Sequence, residues 1–442
     1  MRRIARATFL AHVLATTLIF AATSFGVEPT KISIEFERES RLYALGEPAT
    51  FTVKALGEND ALADEGVLTT RVTLDGNELL EVETFDLAKR SQASYSCTLN
   101  QPGFVKIFVT IKKPSDEKNA LEEVAGAGFK PEKIVQGLPK PDDFDAFWAK
   151  GREEVRAIPI DVQKRKLDEF SNDKRDMYAV SFATVDNQRV FGWLGVPKLG
   201  KERYPAIVNV AWAGLGFGPD PGTVDEGFAV LTLNVFPYEV PINEKERANK
   251  YDEYNKELGC NYFELNAEDR DKYFYRAPIL GLDRAVDWFA QQEFVDADRI
   301  GYHGTSQGGG FGLILTGLNK NIDRAVVSVP AICDHGGIVQ GRNSGWPQLV
   351  GSWRYRNNPE LKARVQESTR YYDAANFAQS ITVPIVVTVG FRDVTCCPSS
   401  VYAAFNGIPS TDKQILNGET VTHVTDKNYG PSLAAMKEAL KK

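Results

Sequence analysis

Histidine is scarce in this chain of 442 residues: His12, His303, His335 and His423 are the only four. Any chemistry that needs an imidazole must draw on one of them. Cysteine is nearly as rare, with Cys97, Cys260, Cys333, Cys396 and Cys397. An odd number leaves at least one thiol unpaired in a monomer, and so few in a long chain exclude a disulfide-built scaffold. No Cys/His spacing has the form of a zinc site, so no metal is expected. Basic residues are not in excess: 52 Lys and Arg stand against 59 Asp and Glu, a net charge of −7, with no basic stripe. That argues against nucleic acid or an anionic membrane as a partner.

Long apolar runs are also missing, save at the start. Arg2, Arg3 and Arg6 precede an apolar run over Ala7–Ala22, and Ala21-Ala22-Thr23-Ser24 offers small residues for cleavage. This has the form of a secretory signal peptide over residues 1–24. The run is short for a span of about 20 residues. The mature chain is expected to begin near residue 25, secreted or periplasmic, with no membrane segment left.

Two parts follow. Lys31–Glu37, Ala49–Leu56, Leu68–Leu74, Ser91–Leu99 and Phe104–Lys112 are short β-branched and aromatic runs, separated by turn signals such as Gly46-Glu47-Pro48 and Asp75-Gly76. Their even spacing predicts a small all-β immunoglobulin-like sandwich over residues 28–113. A polar stretch beginning Lys113-Pro114-Ser115-Asp116 predicts a linker over 114–140. From 141 to 442 strand-like runs alternate with helical ones, at Tyr178–Ala183, Val190–Val196, Ala206–Ala211, Phe228–Val235, Arg324–Val329, Ile385–Gly390 and Gln414–Leu416. Antiparallel strands first and β/α alternation afterwards predict an α/β-hydrolase domain.

Within it, Arg299-Ile300-Gly301-Tyr302-His303 runs into Gly304-Thr305-Ser306-Gln307-Gly308-Gly309. A strand breaking into Gly-x-Ser-x-Gly and opening a helix is the nucleophile elbow of serine hydrolases. The tight turn strains the serine, and the flanking glycines remove side chains that would clash. Helix N-terminal N–H groups beside the serine favour a developing oxyanion.

In this fold the acid and then the histidine follow the serine. His12 lies in the signal, and His303 sits on the elbow strand with its ring directed inward. Only His423 follows the penultimate strand and precedes the last helix, where the base belongs. His335 is expected to line the cleft. Asp393, in the exit loop of strand Pro384–Gly390, is the acid; Asp373 and Asp334 follow no such strand. The oxyanion donors are expected to be the Gln307 N–H and, from Ala211-Trp212-Ala213-Gly214, the Trp212 N–H, with Ala213 as its alternative.

With these residues placed, the chain from about Phe144 onward resembles the acetyl xylan esterase and cephalosporin C deacetylase family, carbohydrate esterase family seven. The resemblance lies in Phe144-Asp145-Ala146-Phe147-Trp148, Val190-Phe191-Gly192-Trp193-Leu194-Gly195-Val196-Pro197, Tyr273-Phe274-Tyr275-Arg276, the Gly-x-Ser-Gln-Gly-Gly elbow, and Asp393 followed by Cys396 and Pro398. It implies an esterase that removes acetyl groups from sugar hydroxyls and small alcohols without metal or cofactor, in a family that forms ring-like hexamers. Two departures stand out: Asn234-Val235-Phe236-Pro237 replaces the family's Arg-Gly-Gln-Gly, and His423 is followed by Val424 rather than Glu. The expected partner is a small acetylated carbohydrate or another ester, in a chain able to form a homo-oligomer. Alternatives are a prolyl-oligopeptidase-type peptidase and a non-catalytic carbohydrate-binding relative.

Three further expectations concern the surroundings. Trp346 and Trp353 are candidate stacking platforms for a sugar ring. Tyr251–Tyr275 is either a lid or a set of surface helices with tyrosines packed beneath. Cys333 and Cys396 end neighbouring strands and are candidates for a disulfide.

Overall fold

The computed structural model describes residues 26–113, 115–424 and 426–442; the expected signal peptide lies outside them. No described helix is long and apolar enough to cross a membrane.

Eight strands come first: β1 (Lys31–Phe36), β2 (Leu42–Tyr43), β3 (Ala49–Leu56), β4 (Val67–Leu74), β5 (Glu78–Asp86), β6 (Gln92–Cys97), β7 (Gly103–Lys113) and β8 (Asp116–Phe129). They form two sheets, ordered β1-β3-β6 and β2-β8-β7-β4-β5. Side chains alternate across a strand. Thus Ala49, Phe51, Val53 and Ala55 of β3 point into a core shared with Leu68, Val72, Ile107 and Val109 of the other sheet.

The expected linker is corrected here. Residues 116–129 are a strand paired along its length with β7, from Lys113↔Asp116 to Gly103↔Phe129. Strands β7 and β8 are thus paired as antiparallel neighbours. The charges of Glu122 and Glu123 mask an inward set, Ala125, Ala127 and Phe129, all buried. Strand β5 also escaped the sequence reading, because nearly every side chain on this acidic edge strand is exposed.

Strand β7 is buried on both faces. Val105, Ile107, Val109 and Ile111 face the β core, whereas Phe104 joins the core of the following half.

That half is built on nine strands: β9 (Gln163–Lys166), β10 (Arg175–Ala183), β11 (Arg189–Pro197), β12 (Tyr204–Val210), β13 (Ala229–Asn234), β14 (Val295–Thr305), β15 (Arg324–Ser328), β16 (Ile385–Gly390) and β17 (Lys413–Gly418). The sheet order is β17-β16-β15-β14-β12-β13-β11-β10-β9. Strands β12 to β17 run parallel, while β9, β10 and β11 are added antiparallel. The fully buried runs of β12 and β13 reflect cover on both faces. Helix Arg276–Ala290 packs against β14 and the antiparallel strands. Ligands in such sheets bind beyond the carboxyl ends of the parallel strands, where β12, β14 and β16 deliver the loops described next.

Candidate active site

Strand β14 ends at Thr305, and helix Gln307–Leu318 begins two residues later. Ser306 between them has φ 57 and ψ −121, a region that L-residues avoid. Several groups hold it there: the Ser306 N–H donates to the Ser328 carbonyl (3.0 Å), and its own carbonyl accepts from Ala331 and Gly310 (both 2.9 Å). The flanking glycines are steric requirements. A Cβ on Gly304 would lie 2.4 Å from the Gly308 carbonyl oxygen, and one on Gly308 would lie 2.1 Å from that of Val210. Gly308→Ala is therefore expected to destabilise the protein by about 1–3 kcal/mol or more, since a backbone oxygen cannot step aside. Urea denaturation of the variant beside the parent checks this.

Asp393, in the loop after β16, is wholly buried. Its Oδ1 accepts the N–H groups of Thr395 (2.8 Å) and Cys396 (2.9 Å). Its Oδ2 lies 2.8 Å from His423 Nδ1, and His423 Nε2 lies 3.0 Å from Ser306 Oγ. The carboxylate can only accept, so Nδ1 carries the proton. Nε2 of the neutral ring is then left to accept from the serine hydroxyl. The three sequence-predicted residues thus form one hydrogen-bonded chain, in the arrangement and tautomer a serine nucleophile requires.

The expected oxyanion donors sit on the other side. Gln307 opens its helix, so its N–H has no carbonyl one turn earlier to bond. Trp212 follows β12. The side chain of Gln307 joins the two, because its Nε2 donates to the Ala211 carbonyl (3.3 Å), the same peptide unit that carries the Trp212 N–H. Its Oε1 accepts from the hydroxyls of both Tyr262 (2.8 Å) and Tyr275 (2.7 Å).

Sequence reasoning missed this clamp; its only local signal was that a glutamine, rather than a small residue, follows the serine. Gln307→Leu removes the acceptor shared by two buried tyrosine hydroxyls, which is expected to cost about 1–3 kcal/mol. It also releases the 211–212 peptide, for an expected kcat loss of about ten-fold. Urea denaturation and turnover of an aryl acetate read the two effects separately.

Asn234 fastens the same loop. It stands where the family's Arg-Gly-Gln-Gly was expected, and its Oδ1 accepts the Phe217 N–H (2.8 Å), closing the Trp212 loop. The Phe217 ring meets the Trp212 indole edge-on at 4.6 Å between centroids.

A cavity of about 550 Å³ opens over Ser306 and His423, lined by Trp212, Ala213, Trp346, Val424 and Tyr429 among others. Trp346 is therefore placed in the cleft. The Trp353 side chain lies outside the described residues. His335 does not line the cavity, which corrects its expected role: it is buried, with neither ring nitrogen hydrogen-bonded. Burial pushes its imidazole down to about 4, so it stays neutral.

His303 is also interior to the chemistry. Its Nδ1 lies 2.8 Å from the Tyr429 hydroxyl, and burial pushes it to about 4. Asp373 caps a helix and accepts the N–H groups of Asp334, His335 and Ala375. Asp334 pairs with Arg342. Neither lies beside His423. Within the segment Tyr251–Tyr275, Tyr262, Tyr273 and Tyr275 are buried. Cys333 and Cys396 are free, buried thiols rather than a disulfide, and burial raises both well above the usual thiol range.

Comparison with known proteins agrees in its direction. The family model described as acetyl xylan esterase (AXE1) matches residues 132–438. The acetyl esterase Axe7A of Xylanibacter ruminicola is 27% identical over 325 residues, 72% of this chain and 70% of that protein. Among solved structures, the acetyl xylan esterase from Paenibacillus sp. R4 superposes with a TM-score of 0.59 at 23% identity. It covers 71% of this chain and 98% of that one. Acetyl xylan esterase 1 from Thermoanaerobacterium sp. JW/SL YS485 gives 0.60 at 21%, with the same coverage. These likenesses establish the α/β-hydrolase fold of the second half.

Proposed function

Because the chain belongs to the acetyl xylan esterase family, we propose that this carboxylesterase is an exported serine enzyme that deacetylates xylan-type oligosaccharides, with Ser306, His423 and Asp393 as its triad. The observation that carries the reading is the Ser306–His423–Asp393 chain of hydrogen bonds, 3.0 and 2.8 Å long, at the floor of the cavity. As the Ser306 oxygen attacks the acetyl carbonyl, its proton passes to His423 Nε2, and Asp393 stabilises the imidazolium. The carbonyl oxygen becomes an oxyanion facing the N–H groups of Gln307 and Trp212. Its collapse expels the sugar alkoxide, which takes the proton from His423. Water then repeats the sequence on the acetyl-serine, releasing acetate and restoring the serine.

Trp212 and Trp346 support a carbohydrate on the alcohol side, since flat aromatic faces suit the apolar faces of sugar rings. Trp212 is 51% exposed at the mouth. The family assignment removes the ground for a peptidase, and the hydrogen-bonded triad speaks against a non-catalytic relative. Residues 1–24 have the form of an export signal. The N-terminal sheets are in our reading an immunoglobulin-like sandwich.

The test is acetate release from acetylated xylo-oligosaccharides and from an aryl acetate by the chain lacking residues 1–24. Release from both is expected. Release from the aryl ester alone would keep the serine chemistry and discard the xylan-type substrate. Release from neither would overturn the reading.

A further inference from the structure

Lys106 is a fully buried lysine contributed by the N-terminal half, on the face of β7 opposite the β core. Its ammonium reaches across to the loop that carries Asp393. Nζ donates to the carbonyl of Phe391 (3.0 Å) and to that of Asp393 itself (2.7 Å). Its charge is met by Asp75 Oδ1 at 3.4 Å, also fully buried. Asp75 in turn uses Oδ2 to accept the N–H of Ser399, at the start of the helix after that loop (2.8 Å). A buried ammonium is costly unless paired and hydrogen-bonded; here two carbonyls accept from it and the Asp75 carboxylate stands within ion-pair distance.

The neighbouring contacts converge on the same loop. The Phe104 ring meets Phe391 edge-on at 5.0 Å. Glu123 of β8 pairs with Arg392. Gly126 of β8 lies so close that a Cβ there would sit 2.2 Å from the Phe391 carbonyl oxygen. The β7–β8 hairpin therefore holds Phe391, Arg392 and Asp393 in succession. The family match begins only at residue 132, so none of these gripping residues belongs to it.

We propose that Lys106, paired with Asp75, is a positioning residue for the reaction: the N-terminal half sets the catalytic aspartate by clamping the carbonyls on either side of Arg392. Lys106 touches no substrate and acts through Asp393. The inference rests on the triad reading above.

Its test is Lys106→Met with Asp75→Asn in one chain. Methionine keeps the length and removes the donors. Asparagine tolerates the φ of 42 at this position and leaves no unpaired buried charge. The double variant is expected to keep a cooperative melting transition while kcat for 4-nitrophenyl acetate falls about 10- to 100-fold, the scale of a small misplacement of catalytic groups. KM should move less than about three-fold, because substrate contacts are untouched. The low-field proton resonance of the His423–Asp393 hydrogen bond should shift or broaden.

An intact fold with kcat and that resonance unchanged would overturn the proposal. Labelling of Ser306 in the parent by a fluorophosphonate separates the two claims. An unlabelled parent sinks the serine reading, whereas a labelled parent beside an unaffected variant sinks only the role of Lys106. One measurement needs no variant. In the parent titrated with urea, the amides of Thr395 and Cys396 should lose exchange protection together with those of β7. Protection and turnover that outlast β7 would overturn the proposal as well.

Discussion

Ser306→Ala is expected to lower kcat for ester hydrolysis by about 10⁵- to 10⁶-fold, equivalent to roughly 7–8 kcal/mol of transition-state stabilisation. The loss should fall on kcat, with KM little changed. The variant removes one oxygen atom and keeps the Cβ, so the cavity and the N–H groups of Gln307 and Trp212, proposed to face the oxyanion, stay as they are. Alanine at φ 57 meets the same backbone strain as serine, and the bonds to Ser328, Ala331 and Gly310 are made by the backbone. Residual turnover then reports what the oxyanion donors and binding achieve alone. His423→Ala should cost a similar amount, and the double variant little more, because the two groups act as one unit. Kinetics of the three variants beside their melting temperatures decide the matter. More than about 1% of parental activity in Ser306→Ala would exclude Ser306 as the nucleophile.

The elbow was legible in the sequence because its requirements are local. Ser306 needs a strand behind it, a helix ahead and no Cβ at Gly304 or Gly308, and all of this lies within ten residues. His423 was legible by scarcity. Asp393 needed the fold order as well, since Asp334 and Asp373 are equally acidic and only their place relative to β16 differs.

The misses share a physical cause. Strands β5 and β8 put charged residues outward, so composition hid the backbone pairing that makes them strands. Lys106 meets Asp393 across 287 positions of chain, and nothing around Lys106 marks it off from the other lysines of a β-strand. His335 was placed in the cleft on its position after β15. The structure shows instead that Asp373 takes its backbone N–H (2.7 Å) while the ring is buried. The Gln307 clamp depends on Tyr262 and Tyr275, whose packing beneath the surface follows from tertiary contacts that no local pattern encodes.

Asp393→Asn is expected to reduce kcat by about 10⁴-fold with the fold retained, and the reason is one of proton placement. The N–H groups of Thr395 and Cys396 both point at Oδ1, so the amide oxygen of asparagine must take that position. Its NH₂ is then turned toward His423 Nδ1. Two donors cannot share one hydrogen bond, so Nδ1 gives up its proton and accepts. The neutral ring now carries its proton on Nε2, where it faces Ser306 Oγ as a donor. The serine proton has nowhere to go, although every heavy atom is close to its former place. The expected readouts are a kcat loss of this size, a melting temperature near that of the parent, and disappearance of the low-field proton shared by His423 and Asp393. A loss smaller than about 100-fold would mean that the asparagine flips or that another acceptor orients the imidazole. Asp426 is an alternative carboxylate, since it lines the same cavity. Its Oδ2, however, is already engaged by the hydroxyls of Ser328 and Thr388, and its Oδ1 accepts the Asn428 N–H. With both oxygens committed to other donors, it is poorly placed to take over, and the large effect is the one the geometry supports.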